Sequence, residues 1–140
     1  MMNIQEMKKE YEKIYGNEGV SKNDIELIEK KLFTKLPLDF KKITEFYSGG
    51  YMGGISHFGI SEYDDENIIK ETIKARVYLN LPTNYLVLAE PPESLILMDT
   101  QEGSSVLWVD SNNIENISEK WNSYTEFFQY LLEEELSENK

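Results

Sequence analysis

The side chains best suited to chemistry in this chain are the carboxylates of residues 62–66, whose sequence is Glu-Tyr-Asp-Asp-Glu. Such a run could bind a divalent cation, supply paired carboxylates for glycoside hydrolysis, or cap a helix. The calcium-loop pattern D-x-[D/N]-x-[D/N]-G is missing, and carboxylates adjacent in sequence rarely face one substrate. The sequence therefore favours capping, with Asp64 or Asp65 as the N-cap of the helix that follows. A capping segment can also be exposed and bind a basic partner.

Other residue types that support catalysis are scarce in the sequence. His57 is the single histidine, Arg76 is the single arginine, and cysteine is absent. General acid–base catalysis most often uses histidine, and phosphate or oxyanion chemistry uses clusters of arginine and lysine. One histidine in a predicted strand is more often structural, and no H-E-x-x-H spacing for zinc is present. We therefore expect a protein that is not an enzyme and that has no catalytic residues, metal or cofactor.

Four glycines flank Tyr51 and a methionine in the sequence GGYMGG. The pattern matches neither G-x-x-x-x-G-K-[S/T] nor G-x-G-x-x-G, which bind phosphate groups. Gly49 and Gly50 follow the last periodic apolar residue of a predicted helix, where a C-cap favours a left-handed residue. Gly53 and Gly54 predict a tight turn ahead of the first strand. Tyr51 is expected either to pack in the core or to serve as an aromatic anchor at an interface.

Apolar periodicity predicts the elements that position these residues. The predicted helices cover residues 4–14, 22–32, 37–47, 63–81 and 118–136. The predicted strands cover residues 55–61, 85–90, 94–99 and 105–110, the last three adjacent and antiparallel. We therefore predict an α+β fold in a single domain over residues 1–140. It has N-terminal helices, a central, largely antiparallel sheet, one helix inserted after the first strand and a C-terminal amphipathic helix.

Charge is distributed unevenly along the chain, whose formal net charge is −12. Residues 1–76 carry 14 acids and 12 bases, whereas residues 77–140 carry 12 acids and two lysines. The acidic second part should repel nucleic acid and attract a basic partner, although acidity can also serve solubility alone. The N-terminal segment lacks the apolar core of a signal peptide, and every apolar run is too short to span a bilayer. We expect a soluble, cytoplasmic protein that binds neither nucleic acid nor membrane.

The stretch IELIEKKLFTKLPLDFKKITEFYSGGYMGG, from residue 25 to residue 54, resembles the SUKH superfamily. That superfamily is named for Syd and for homologues of a fungal cell-wall-synthesis regulator. The shared features are an acidic helix, the Leu36-Pro37 dipeptide, an amphipathic helix with aromatic residues, and a pair of glycines preceded here by Ser48 instead of asparagine. The aromatic residues Trp121, Phe127 and Phe128 occupy the place of the aromatic anchors in the last helix of the family. This chain departs from the family at Pro91-Pro92-Glu93, where many members have a Gly-Asp turn.

The resemblance implies binding instead of catalysis. Bacterial members act largely as immunity proteins that neutralise a cognate toxin, often a nuclease, and other members are scaffolds in cell-wall signalling. We expect an intracellular immunity protein that occludes a basic toxin domain, with a non-catalytic scaffold or regulator as the alternative. Two groups of acidic residues, together with Tyr51, are the expected interface. They are Glu62, Asp64, Asp65 and Glu66 at a helix start, and Glu90, Glu93, Asp99 and Glu102 at strand ends.

Overall fold

The computed structural model describes residues 2–138, within which the chain forms five helices and one six-stranded sheet. Residue 1 and residues 139–140, at the two ends of the predicted domain, lie outside the described residues. The helices are α1 (Ile4–Tyr15), α2 (Lys22–Leu32), α3 (Leu38–Ile43), α4 (Ile68–Leu79) and α5 (Tyr124–Glu138). The strands are β1 (Gly50–Met52), β2 (Ile55–His57), β3 (Tyr85–Ala89), β4 (Ser94–Asp99), β5 (Val106–Asp110) and β6 (Asn113–Trp121). The predicted α+β class is confirmed.

Each strand of the sheet pairs antiparallel with its neighbours in the chain, in the order β1 to β6. The three strands predicted from short apolar runs are confirmed as β3, β4 and β5, side by side. The two edge strands were not predicted. The first edge, β1, has three residues within GGYMGG, and the second, β6, is an exposed strand of nine residues without apolar alternation. The pairing of β6 with β5 also shifts register at two places.

The sheet buries apolar side chains on both faces. Alternate residues of β3, β4 and β5 point into the larger core, which they share with α1, α2, α3 and α5. This core includes Phe40, Tyr47, Leu86, Ile96, Met98, Val106, Phe127 and Phe128. The residues between them form a smaller cluster on the second face, with Val87, Leu95, Leu97, Leu107 and Val109. The helix α4 contributes Ala75 to that cluster and packs on β3.

The Leu36-Pro37 dipeptide connects α2 to α3. Leu36 is buried, and its backbone N–H donates to Glu29 Oε2 at 2.8 Å. The same carboxylate oxygen pairs with Lys41 Nζ at 3.2 Å. Burial alone would raise the pKa of Glu29, but the hydrogen bond from Leu36 and the charge of Lys41 outweigh it and lower that pKa. Pro37 is the N-cap residue and not the first helical residue, one position from the predicted start.

Asp39, two residues after Pro37, joins α3 to the start of α5. Its Oδ2 atom accepts hydrogen bonds from the backbone N–H of Thr125 at 3.0 Å, from Thr125 Oγ1 at 2.9 Å and from Ser104 Oγ at 3.0 Å. A carboxylate at this place satisfies a free N–H of the first turn of α5 and interacts favourably with the helix dipole. The Leu-Pro segment therefore also positions the C-terminal helix.

The prediction that Gly49 and Gly50 cap a helix is wrong, because α3 ends at Ile43 and is capped by Thr44. Gly49 instead precedes β1 and Gly50 is its first residue, with φ angles of 98° and 95°. A Cβ atom on Gly49 would lie 2.5 Å from the carbonyl oxygen of Phe58, whereas a Cβ atom on Gly50 would meet nothing within 4 Å. The first glycine is therefore required by space as well as by backbone conformation.

The second pair, Gly53 and Gly54, forms the predicted tight turn, here the two-residue loop of the β1–β2 hairpin, with φ angles of 62° and 77°. Positive φ at both loop residues is the geometry that glycine favours in hairpins. Gly53 packs against Leu131 of α5, and its N–H donates to Glu135 Oε1 at 2.7 Å. The other oxygen of Glu135 accepts the hydroxyl of Tyr15 at 2.7 Å. One buried carboxylate thus connects the hairpin, α5 and α1.

The structure corrects the boundaries of two predicted helices. The helix α4 begins at Ile68, and Asn67 is its N-cap, with Oδ1 accepting the N–H of Lys70 at 2.9 Å. The prediction that Asp64 or Asp65 caps this helix is therefore wrong. Residues 118–121 belong to β6 instead of the last helix, so Trp121 lies outside α5 and packs on it, with its ring 4.8 Å from that of Phe127. The predicted strand over 55–61 ends at His57.

Candidate binding surface

The acidic loop, residues 61–67, has its backbone fixed by hydrogen bonds. Asn67 is 2% exposed, and its Nδ2 atom donates to the carbonyl oxygens of Asp64 at 3.0 Å and Glu62 at 3.4 Å. The N–H of Gly59 donates to the carbonyl of Glu66 at 2.9 Å. A parallel bridge between Gly59 and Asn67 closes the base of the loop. The loop therefore presents its side chains from a defined scaffold.

All four carboxylates of the acidic loop are exposed, and Tyr63 among them is 87% exposed. Within residues 2–138, the carboxylates of Glu62, Asp64, Asp65 and Glu66 have no hydrogen-bond donor or cation as a partner. The nearby amine of Lys70 donates to the carbonyl oxygen of Asp65, at 3.3 Å, and not to a carboxylate. No group of three potential ligand side chains in the described part of the chain is placed to hold a metal ion. The loop thus offers uncompensated negative charge at the surface.

The second predicted group of acids does not form one cluster. Glu90 and Glu93 lie beside the first residue of β4, whereas Asp99 and Glu102 lie at or beyond its last residue. Six residues of strand separate the two pairs by roughly 17 Å, at a rise of about 3.3 Å per residue. The structure therefore places the two pairs of acids at opposite ends of β4.

Within this group, Asp99 has a structural role. The residue is 7% exposed, and its Oδ1 accepts hydrogen bonds from Asn84 Nδ2 and from the backbone N–H groups of Gln101 and Glu102, at 2.9–3.2 Å. Its carboxylate shapes the turn between β4 and β5. Asp99 is therefore unsuited to the interface for which it was proposed, whereas Glu90, Glu93 and Glu102 are exposed.

Tyr51 lies on the edge strand β1 and is 67% exposed. Of the two roles expected from the sequence, core packing is wrong, and a role at an interface stays a prediction. The rest of the glycine-rich segment is structural, since its two glycine pairs shape the entry to β1 and the hairpin loop.

The structure reveals a feature that the sequence analysis missed, a set of exposed apolar residues on α4. Ile73, Val77, Tyr78 and Leu79 are 43%, 69%, 79% and 39% exposed. The buried face of this helix uses Ile68, Thr72 and Ala75. The signal was present in the sequence IIKETIKARVYL, which has more apolar residues than one buried face of a helix can use.

Beside Tyr78 and Leu79, two hollows adjoin on the second face of the sheet. The smaller, of about 220 Å³, lies between Tyr78 of α4 and Glu90 after β3, over Val87 and Leu95. The larger, of about 700 Å³, lies between the end of α4 and the β5–β6 turn and includes Tyr85, Leu97, Leu107, Glu115 and Ile117. Both include Leu79 and Ser111, and together they are called the α4 groove.

His57 is buried against the larger core. It is 8% exposed, and its Nε2 donates to the carbonyl oxygen of Met52 at 3.3 Å. Its ring packs edge-on to the rings of Tyr47 and Phe127, with centroids 6.4 and 6.0 Å away. Burial lowers the pKa of His57 to about 4, against a smaller opposing effect of the hydrogen bond. The imidazole is thus neutral at pH 7, which agrees with the structural role expected from the sequence.

Replacing His57 by glutamine should lower the free energy of unfolding by about 1 kcal/mol at pH 7.5, because the hydrogen bond to Met52 is weakened. The folded-state pKa of His57 lies below its ordinary value, so the unfolded chain takes up the proton first as the pH falls. As the pH falls from about 7.5 to 5, this uptake should lower the free energy of unfolding of the wild type by roughly 2 kcal/mol. The loss is absent above the ordinary histidine pKa. The glutamine variant lacks this loss. Urea unfolding should therefore show that the difference in free energy of unfolding between wild type and variant closes or reverses at pH 5. A constant gap would contradict the buried neutral state.

Comparison with known proteins adds a family and a fold. A family model described as "SUKH_5: SMI1-KNR4 cell-wall" matches residues 1–133. A crystal structure of a protein from Pseudomonas syringae pv. tomato is similar over 92% of this chain and 98% of that chain, with a TM-score of 0.65 and 17% identity. At that identity the similarity concerns the fold. None of the curated proteins compared with this chain matches it. No helix among the described residues is both long and apolar enough for a bilayer span.

Proposed function

The chain belongs to the SUKH_5 family, described as SMI1-KNR4 cell-wall, and from this premise we propose that it is an intracellular immunity protein that binds and occludes a basic toxin domain. The observation that carries the proposal is the acidic loop. Its four exposed carboxylates have no cationic partner within the described residues, and the side chain of Asn67 donates hydrogen bonds to the loop carbonyls of Glu62 and Asp64. The proposed activity is binding and includes no catalytic step.

Electrostatics explains why such a loop suits a toxin inhibitor. A nuclease needs positive charge to hold phosphate groups, so a protein that covers its active site benefits from negative charge. Complementary charge also raises the rate of encounter, up to about 10⁸–10⁹ M⁻¹ s⁻¹ at low salt. Fast capture matters for an immunity protein because the toxin must be bound before it acts. A net charge of −12 for the whole chain supports the same steering.

A non-catalytic scaffold or regulator without a toxin partner is the second candidate. The words "cell-wall" in the family description favour it. The two candidates differ in genetic neighbourhood. A neighbouring gene that encodes a large secreted protein with a basic C-terminal domain supports immunity, and an isolated housekeeping neighbourhood supports a scaffold.

The acidic loop can be tested by reversing its charge. The variant Glu62→Lys, Asp65→Lys, Glu66→Lys should associate at least about tenfold more slowly with an inactivated toxin domain encoded by the neighbouring gene, with a flatter dependence on salt. Asp64 is kept because its side chain packs against Gly59. Melting temperature should change little, since Asn67 and not an acid caps α4. Stopped-flow fluorescence at several salt concentrations measures the rates.

A matched control changes the net charge equally at another place. The variant Glu133→Lys, Glu134→Lys, Glu138→Lys alters three exposed acids of α5 and should slow association much less than the acidic-loop variant. Equal slowing by both would mean that only net charge matters. Unchanged association for both in low salt would remove the electrostatic mechanism, and failure of the wild type to bind the neighbouring-gene domain would contradict the toxin-binding role.

A further inference from the structure

We propose that the α4 groove is a second recognition site for the toxin domain, and that it holds an apolar side chain from a segment rich in lysine or arginine. The inference rests on the proposed function and adds to it the place where the partner is anchored. The acidic loop would then govern encounter, and the α4 groove would govern the lifetime of the complex.

The exposed apolar side chains of Tyr78 and Leu79 on α4 are the first support. Single exposed apolar residues are ordinary on protein surfaces, but contiguous apolar patches beside a concavity mark binding sites. Tyr78, which is 79% exposed, lines the smaller hollow of the α4 groove, and Leu79, which is 39% exposed, lines both hollows. Tyrosine is also among the residues most enriched at binding hot spots. A partner that covered these two side chains would remove apolar surface from water.

The shape and lining of the α4 groove are the second support. Its base is formed by side chains of the smaller apolar cluster, among them Val87 and Leu95 below the smaller hollow and Leu97 and Leu107 below the larger. These side chains are already packed and buried, so the base is a preformed surface. A volume of about 220 Å³ beside Tyr78 suits one large apolar side chain. Filling a preformed pocket costs less ordering than forming a new one.

Charge identifies the occupant. Glu71, Glu90 and Glu115 line the two hollows, and the lysine among their lining residues, Lys74, pairs with Glu71 at 3.3 Å. Glu90 and Glu115 form no ion pair within residues 2–138. An occupant with lysine or arginine beside its apolar side chain would compensate these two carboxylates. A second copy of this chain, with a net charge of −12, would add repulsion instead.

The test uses the full chain and the inactivated domain encoded by the neighbouring gene. The variant Tyr78→Ser should raise the dissociation rate by about 30-fold, the effect of losing one hot-spot anchor, and leave the association rate within about twofold. Phe33→Ser is the matched control, because Phe33 is an exposed apolar residue, 86% exposed, that does not line the α4 groove. Its dissociation rate should stay within about twofold of the wild type. Circular dichroism and urea unfolding check that both variants keep the fold.

The outcomes separate this inference from the proposed function. An unchanged dissociation rate for Tyr78→Ser, beside slowed association for the acidic-loop variant, would overturn the role of the α4 groove and keep the toxin-binding role. Absence of any binding by the wild type would overturn both. Sedimentation of the chain alone as a dimer that the groove variant converts to a monomer would assign the groove to a second copy and would also overturn the inference.

Discussion

Replacing Gly49 by alanine should lower the free energy of unfolding by about 3–5 kcal/mol, whereas Gly50→Ala should cost only about 1–2 kcal/mol. Both residues have φ angles near 95°, so both substitutions strain the backbone. A Cβ atom at Gly49 would in addition lie 2.5 Å from the Phe58 carbonyl oxygen, and this oxygen is backbone that cannot rotate away. Nothing lies within 4 Å of a Cβ atom at Gly50. Urea unfolding of the two variants measures the difference directly.

The pair is informative because the two glycines are adjacent and have almost the same conformation. Equal destabilisation by the two substitutions would show that φ alone decides and that the chain moves away from Phe58 without cost. A larger effect at Gly49 would explain the double glycine of the SUKH-like motif. The first glycine would be required by space as well as by conformation, and the second by conformation alone. Neither role is the helix cap that the sequence predicted.

Replacing Asp39 by alanine should destabilise the protein by about 3 kcal/mol, because its Oδ2 accepts three hydrogen bonds at the start of α5. The loss leaves the N–H of Thr125 and the hydroxyl groups of Ser104 and Thr125 without this acceptor. It also removes a negative charge near the N-terminus of a helix, whose contribution is about 0.3–1 kcal/mol. Thermal and urea unfolding monitored by circular dichroism give the change in stability.

Asp39→Asn is the control that separates hydrogen bonding from charge. The amide keeps one oxygen acceptor in the same place, so its cost should be about half that of alanine. Equal costs for asparagine and alanine would assign the effect to charge. A change below about 0.5 kcal/mol for alanine, the size typical of an ordinary surface substitution, would show that Ser123 caps α5 sufficiently by itself.

Much of this fold can be predicted from local sequence, and the failures have physical causes. The central strands β3, β4 and β5 are short apolar runs separated by turn residues, so their type and order follow directly. The edge strands β1 and β6 have little apolar alternation, because an edge strand buries few of its side chains. The predicted start of α4 was wrong because the N-cap is Asn67, a buried amide, and not one of the preceding acids. The burial of a single polar side chain cannot be predicted from the sequence.

The candidate site was predictable in part. The carboxylates of residues 62–66 could be identified as an exposed acidic segment from the sequence alone, although their loop conformation could not. Asp99 could not be separated from Glu90 and Glu93, because only the structure places it inside a turn with three donors. The α4 groove depends on a helix that crosses one part of a sheet face and leaves another part open. That arrangement is tertiary, and the sequence offers only the apolar excess of α4 as a sign of it.

The open edge at β6 has a consequence for behaviour at high protein concentration. Unpaired N–H and C=O groups at the edge of a sheet can recruit strands from other molecules and lead to aggregation. Here the edge strand exposes Glu115, Glu119 and Lys120, and two register shifts against β5 interrupt its regular ladder. The opposite edge, β1, is only three residues long. Charge, irregularity and shortness thus oppose the addition of further strands at both edges, so we expect copies of the chain to resist polymerising through the sheet at high concentration.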